Sequence, residues 1–130
     1  MTDNAKIARQ MFDACMNKDF ESAKKLLHPQ YTLKDPMMKI NGPDEMIEMM
    51  KNCPFESGME DIKIVADGDT VVSTFTMTSP NGPPLRMCSV ARMENGQFRS
   101  EEMFYDTAQI PQEMKDAARQ NMPQGDKRAA

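Results

Sequence analysis

The residues with chemical potential are few and scattered along the chain. Asp35 ends the alternating segment Tyr31-Thr32-Leu33-Lys34 and precedes Pro36. At the mouth of an apolar interior such a carboxylate loses hydration and becomes a stronger base near neutral pH. The same Asp-Pro pair also suits a plain turn, since aspartate readily bonds its own backbone. Further on, Glu101, Met103 and Tyr105 alternate on one face of a predicted strand, while Phe98, Glu102 and Phe104 alternate on the other. If the first face turns inward, Tyr105 is a hydrogen-bond donor to a ligand; if the second does, Glu102 is the buried acid. His28, the sole histidine, precedes Pro29 at the end of a predicted helix, which suits capping of carbonyls more than proton relay. Cys88 and Ser89 are neighbours, so one of the two faces inward. Arg86 shares the face of Cys88, yet the ordinary role of a lone cysteine is packing.

Other chemistries find no support. Cys15, Cys53 and Cys88 have no paired spacing, which predicts a reduced chain without disulfides or a zinc site. With one histidine, no resident metal is expected. No glycine-rich loop is placed to cradle phosphates, so no cofactor is implied. Sixteen basic against twenty acidic residues leave a net charge of −4, with the basic ones dispersed. Such a surface lacks the footprint that phosphate neutralisation needs, and nucleic acid is not an expected partner. No apolar run approaches the ~20 residues of a membrane span. Met1-Thr2-Asp3-Asn4 also lacks the basic start of a signal peptide. A cytoplasmic protein without a membrane partner is the expectation.

The elements that must position these residues follow from periodicity. A chain of 130 residues holds one domain with one core. Ile7, Ala8, Met11, Phe12 and Cys15 form a helical stripe over about residues 4–16. A second helix, capped by Asp19, carries Phe20, Ala23, Leu26 and Leu27 and ends at Pro29. Tyr31–Lys34 reads as a short strand, with residues 37–40 pairing back on it. Asn41-Gly42-Pro43-Asp44-Glu45 opens a third helix, with Met46, Ile47, Met50 and Cys53 on one side and Pro54 as its stop. From residue 60 the pattern turns to strands: 60–66, 70–78, 85–94 and 97–105. Asp67-Gly68, Asn81-Gly82-Pro83-Pro84 and Asn95-Gly96 are the turns between them. Residues 1–110 make the domain, and 111–130 a terminal helix, over about 112–121, with a flexible tail. Helices followed by a meander give an α+β fold, and three helices leave one end of a curved sheet open as a pocket. Fifteen methionines are unusual; they fill irregular cores well and would also make a deformable pocket wall.

The chain resembles the nuclear transport factor 2-like superfamily, and within it the SnoaL-like and ketosteroid isomerase-like proteins. The resemblance rests on Asn17-Lys18-Asp19-Phe20, on Tyr31 to Pro36, on Asn41 to Ile47, and on Glu94-Asn95-Gly96-Gln97-Phe98 through Tyr105-Asp106. It implies a cone-shaped, curved, mostly antiparallel (mixed) sheet packed on three helices around a pocket, the cystatin-like arrangement. It also implies a homodimer joined through the outer sheet face. Asp35 matches the isomerases' general base, and Asp106 lies near an acid/base aspartate of the cyclases. Met11 and Ser89 stand where the isomerases carry their paired oxyanion donors, so steroid isomerisation is not expected, since one such donor is worth on the order of 100-fold in rate. The resemblance thus implies a small hydrophobic ligand. Catalysis would rest on Asp35 and Asp106, and the pocket would be lined by Met11, Cys15, Tyr31, Met50, Met87, Ser89, Met103 and Tyr105. The reaction would be a cofactor-free isomerisation, cyclisation or dehydration; the alternative is a binding or dimerisation module without turnover.

Overall fold

The computed structural model describes residues 3–52, 58–80 and 82–120. The first helix, α1 (Asn4–Met16), starts where the Asp3 carboxylate accepts the Lys6 N–H at 3.1 Å. Its stripe turns inward as expected. Ala8 is buried, Ile7, Met11, Phe12 and Cys15 are half-buried, and Lys6, Arg9 and Asp13 are exposed. The Phe12 ring meets Phe75 edge-on with centroids 5.1 Å apart, which fixes the helix against the sheet.

Helix α2 (Phe20–Lys25) is shorter than its pattern suggests. Asp19 caps it by accepting the Ser22 N–H and hydroxyl at 3.2 and 2.6 Å. The expectation that it runs to Pro29 is wrong, because the sheet takes the chain first. The Leu26 carbonyl already accepts the Phe98 N–H at 2.8 Å, and strand β1 (Leu27–Lys34) begins at the next residue. Pro29 sits where β1 pairs irregularly, between Leu27 and Thr32, so its missing N–H breaks no ladder bond there. His28 is therefore a strand residue and not a helix cap. Its Nε2 lies 2.7 Å from Glu94 Oε2, and its Nδ1 accepts the Gln30 N–H.

Strand β2 (Lys39–Asn41) pairs back on β1 as expected. Gly42 then makes the entry to α3 (Pro43–Lys51) with φ +93° and ψ 158°, a region closed to other residues. Its N–H bonds the Tyr31 carbonyl at 2.7 Å, and the Glu45 side chain takes the Asn41 N–H. One glycine thus ties α3 to the strand that carries Tyr31. Cys53 and Pro54, the expected end of α3, lie outside the described residues.

The meander comprises β3 (Gly58–Asp67), β4 (Thr70–Ser79), β5 (Gly82–Glu94) and β6 (Gln97–Phe104). Asn95 and Gly96 both take positive φ, as the tight β5–β6 turn demands. Pro83 and Pro84 lie in the exposed start of β5 and not in a turn; a pairing irregularity between Met77 and Ser79 accommodates them. A 3-10 turn (Thr107–Gln109) leads to α4 (Gln112–Gln120), whose Met114 sulfur lies against Gly82.

The six strands run in the order β2-β1-β6-β5-β4-β3, all antiparallel except β1 beside β6. The sheet is mixed and the class is α+β, as expected. Helix α1 packs on β3 and β4, and α3 on β1 and β2. Along β5 the inner residues Met87, Ser89, Ala91 and Met93 are buried, while Val90 faces out. In β6, Arg92 pairs with Ser100 but Met93 with Phe98, so Arg99 is an extra residue in the strand. That bulge reverses the alternation and puts Phe98 and Glu101 on the same, inner side. Among the described residues no helix is long and apolar enough to cross a membrane. Gly42→Ala is expected to lower the unfolding free energy by about 1–3 kcal/mol, read from the midpoint of urea denaturation at unchanged slope.

Candidate functional site

Two strands that pair in parallel, β1 and β6, bring the polar residues of the interior together. Tyr31, with no exposed surface, stands on the inner side of β1. Its hydroxyl donates to Glu101 Oε1 at 2.8 Å, across the β1–β6 pair. From β5, Ser89 donates to Glu101 Oε2 at 2.9 Å. Cys15, near the end of α1, is close enough for the two groups to feel one another electrostatically. Burial pushes the Glu101 carboxyl above its ordinary value, and the hydroxyls of Tyr31 and Ser89 pull partly the other way. Burial, then the negative potential of Glu101, pushes the Cys15 thiol up to about 12 and Tyr31 well above the usual phenol range. Such a thiol stays protonated and is no nucleophile.

A second polar group sits at the other end of the same strands. β1 ends at Lys34, and the chain folds over Asp35 in a tight turn. Asp35 Oδ1 accepts the N–H groups of Met37 and Met38, both at 2.7 Å, and its own N–H bonds the Met38 carbonyl at 3.0 Å. The turn reading of Asp35 is therefore right. Asp35 is nonetheless only 7% exposed, and its carboxylate takes a hydrogen bond from the Tyr105 hydroxyl. Burial first, then the charge and hydrogen bond of Asp35, hold the Tyr105 hydroxyl firmly protonated.

The open choice of face on the last strand is thus resolved. Glu101, Met103 and Tyr105 point inward, whereas Glu102 and Phe104 are exposed. Ser89 pairs with Met103, and Met87 is buried beside it on β5. Met11 and Cys15 line the facing side of α1. Met50 packs into the core from α3, whose neighbours are α2, β1 and β2. Asp106 is corrected: it is exposed, and its side chain caps the 3-10 turn by accepting the Ala108 N–H at 2.9 Å. Strand β6 has already ended there, so Asp106 stands clear of the interior. Cys88 shares the outer face with Val90; Arg86, also outward, is held by Asp61 and Thr76.

Glu101 is the site residue that the sequence pattern did not single out. The available signal was a conflict of parity: Phe98 and Met103 are both apolar, yet an unbroken strand would put them on opposite faces. Among the described residues no group of three or more His, Cys, Asp or Glu side chains could hold a metal ion. Phe20, Lys24, Asp44, Ile47 and Lys51 border an open groove between α2 and α3, crossed by the Lys24–Asp44 ion pair at 2.7 Å.

Glu101 links stability to pH. Its native carboxyl holds a proton more tightly than the unfolded one, so the stability it lends is complete below its ordinary value of 4.5 and drains away as pH rises through the native value. Glu101→Gln removes that titration. Its melting temperature is expected to gain on the wild type as pH rises from about 4.5 to 8; a constant difference across that range would contradict the assignment.

Residues 8–101 match the family described as a SnoaL-like domain. No curated protein sequence matches the chain. Among solved structures, an NTF2-like protein of unknown function from Cytophaga hutchinsonii superposes with a TM-score of 0.74 at 18% identity, over 83% of this chain and 94% of that one. A Kribbella flavida protein named as a candidate ketosteroid isomerase gives 0.75 at 18% identity, over 83% of this chain and 81% of that one. A candidate polyketide cyclase from Sinorhizobium meliloti gives 0.69 at 16% identity, over 75% and 93%. At these identities the likeness is one of fold.

Proposed function

Since the chain belongs to the SnoaL-like domain family, we propose that it takes up a small hydrophobic molecule between helices and sheet and moves a proton on it with Asp35, without a cofactor. The carrying observation is the Asp35–Tyr105 pair: a carboxylate that is 7% exposed, oriented by two backbone N–H groups and faced by a protonated phenol. A base must be placed before it is strong, and the Asx turn does the placing. The walls support the apolar ligand. Met11, Met103 and Cys15 are all half-buried on inward surfaces, and thioethers adapt to varied shapes. The reaction class is isomerisation, cyclisation or dehydration, in which a proton leaves carbon or oxygen and returns elsewhere. The names borne by the candidate isomerase and cyclase of the same fold accord with this class.

A second reading is binding without turnover. It draws on the same turn: one oxygen of Asp35 is already committed to two N–H groups, and Met11 supplies no donor from α1. A bicyclic ketone with labile protons, 2-tetralone, separates the two. The wild type is expected to speed exchange of its α-protons with deuterated water. Asp35→Asn preserves the acceptor of the turn and should lose about 100-fold or more of that acceleration while still binding the ketone. Binding with no acceleration by the wild type would leave the second reading in place and remove the first.

The outer sheet face supports a further element of this reading, a homodimer. Val65, Val90 and Phe104 are 68, 38 and 48% exposed there, and Val72, paired with Val65 and Val90, continues the row. Sedimentation should give twice the chain mass of 14.7 kDa, and Phe104→Glu should shift it to monomer; a wild type that sediments as a monomer would rule the dimer out.

A further inference from the structure

Past Phe104 the sheet is uneven. β6 ends opposite Cys88, while β5 reaches further, through Met87 and Leu85 to Gly82. The inner side there carries Met87 and Leu85, with Phe75 and Met77 beside them on β4. Opposite Met77 and Ser79, β5 holds one extra residue between Leu85 and Gly82, which turns Gly82 to the same inner side. Helix α4 rests on that end: a Cβ on Gly82 would come within 2.8 Å of the Met114 sulfur. Tyr105 follows Phe104, so α4 stands at the same end of the sheet as the Asp35–Tyr105 pair. Helical spacing sets Met114, Lys115 and Arg119 within about 140° of arc. Among the described side chains of α4 these three are half-buried, whereas Gln112, Glu113 and Asp116 are exposed. That is unusual for this chain's cations. Every described lysine and arginine outside α4 is exposed except Arg99, which is bonded to Gln30. Among the described residues neither Lys115 nor Arg119 meets an acid: the three ion pairs there join Lys24 to Asp44, His28 to Glu94 and Arg86 to Asp61, and Asp116 turns to Gln112 at 2.9 Å. The Arg119 Nε is buried without an acceptor. Such a donor opposes the seating of the helix until an oxygen meets it.

We propose that Lys115 and Arg119 hold a carboxylate of the ligand, so that the molecule taken up is an amphipathic acid, with its apolar body on Met77, Leu85 and Met87 and its charge under α4. This rests on the reading that the interior takes up a small hydrophobic molecule, and it narrows the class. The planar guanidinium fork matches the two oxygens of a carboxylate, and the lysine ammonium adds a point charge beside it. An anionic oxygen on Arg119 also removes the cost of its unmet donor. The two cations offset the repulsion between the ligand's charge and Asp35, which otherwise opposes an anion at this end. Both keep some contact with water, so salt weakens the attraction. Binding then ties α4 to the sheet by charge as well as by Met114, and the helix closes over its ligand.

The test compares two probes of one shape, 2-naphthoate and 2-naphthamide, which differ by the charge. Titration at neutral pH and low salt should show the acid bound about tenfold more tightly, with the margin shrinking as salt is raised. Replacing both cations, Lys115→Gln with Arg119→Gln, should abolish the preference while keeping the amide's affinity. Lys6→Gln, the same change of charge on the exposed side of α1, should leave the preference intact. Hydrogen exchange of residues 112–120 in the wild type should slow with the acid and not with the amide, a readout that needs no variant. Equal affinities for acid and amide, a preference that survives the double substitution, or one that falls as much with Lys6→Gln would overturn this inference and leave the apolar pocket intact. If neither probe binds, both readings fall together.

Discussion

The parallel pairing of β1 with β6 is the contact on which the site depends. Every other strand pair is antiparallel and joins neighbours in the chain or nearly so; this one joins its two ends. It sets Leu33 beside Glu101 and Lys34 beside Glu102. From that register follow the Tyr31–Glu101 bond and the meeting of Asp35 with Tyr105 just past the strand ends. A slip of one residue would turn every inner side chain of β6 to solvent. Several fasteners oppose such a slip. The Arg99 guanidinium donates to the Gln30 carbonyl at 2.6 Å, and Gln97 to the Lys25 carbonyl at 3.0 Å. Gly42, through its bond to Tyr31, holds β1 from its other side.

Backbone and hydroxyl dipoles meet both acids of the interior. Asp35 has backbone N–H groups and a phenol; Glu101 has a phenol and a serine. Among the described residues no ion pair reaches Glu101, and a fixed cation there would have favoured its ionised form. Hydroxyl partners, able to donate or accept, leave room for a proton to come and go. The core that surrounds them is apolar, rich in alanine, leucine and isoleucine with methionines packed against it, which raises the energy of any charge left unmatched.

Much of this architecture was legible in the residues. The stripes of α1 and α3, the Asn95-Gly96 hairpin and the position of Asp35 after two helices all follow local rules of capping, periodicity and turn chemistry. What local rules could not supply was the long-range capture of chain by sheet. Leu26 and Leu27 continue the stripe of α2, and only the distant Phe98, by bonding Leu26, pulls them out of it. His28 changed role for the same reason, from helix cap to partner of Glu94. The inward face of β6 was undecidable from alternation because Arg99 breaks it, so Glu101 stayed hidden beside an equally plausible Glu102. Asp106 carried the right residue type two residues past the end of the strand, and solvent claimed it.

The order of strands in the sheet also orders events during synthesis. Tyr31 and Glu101 are 70 residues apart, and everything between them leaves the ribosome before their bond can form. Until β6 emerges, β1 with β2 is a two-stranded edge, the unfinished meander lacks its last strand, and both carry inner faces rich in apolar side chains. Such edges invite pairing with other chains. The nascent chain must therefore be shielded for most of its length, and a truncation before Phe98 would leave a sheet open at its middle rather than merely shorter at its rim.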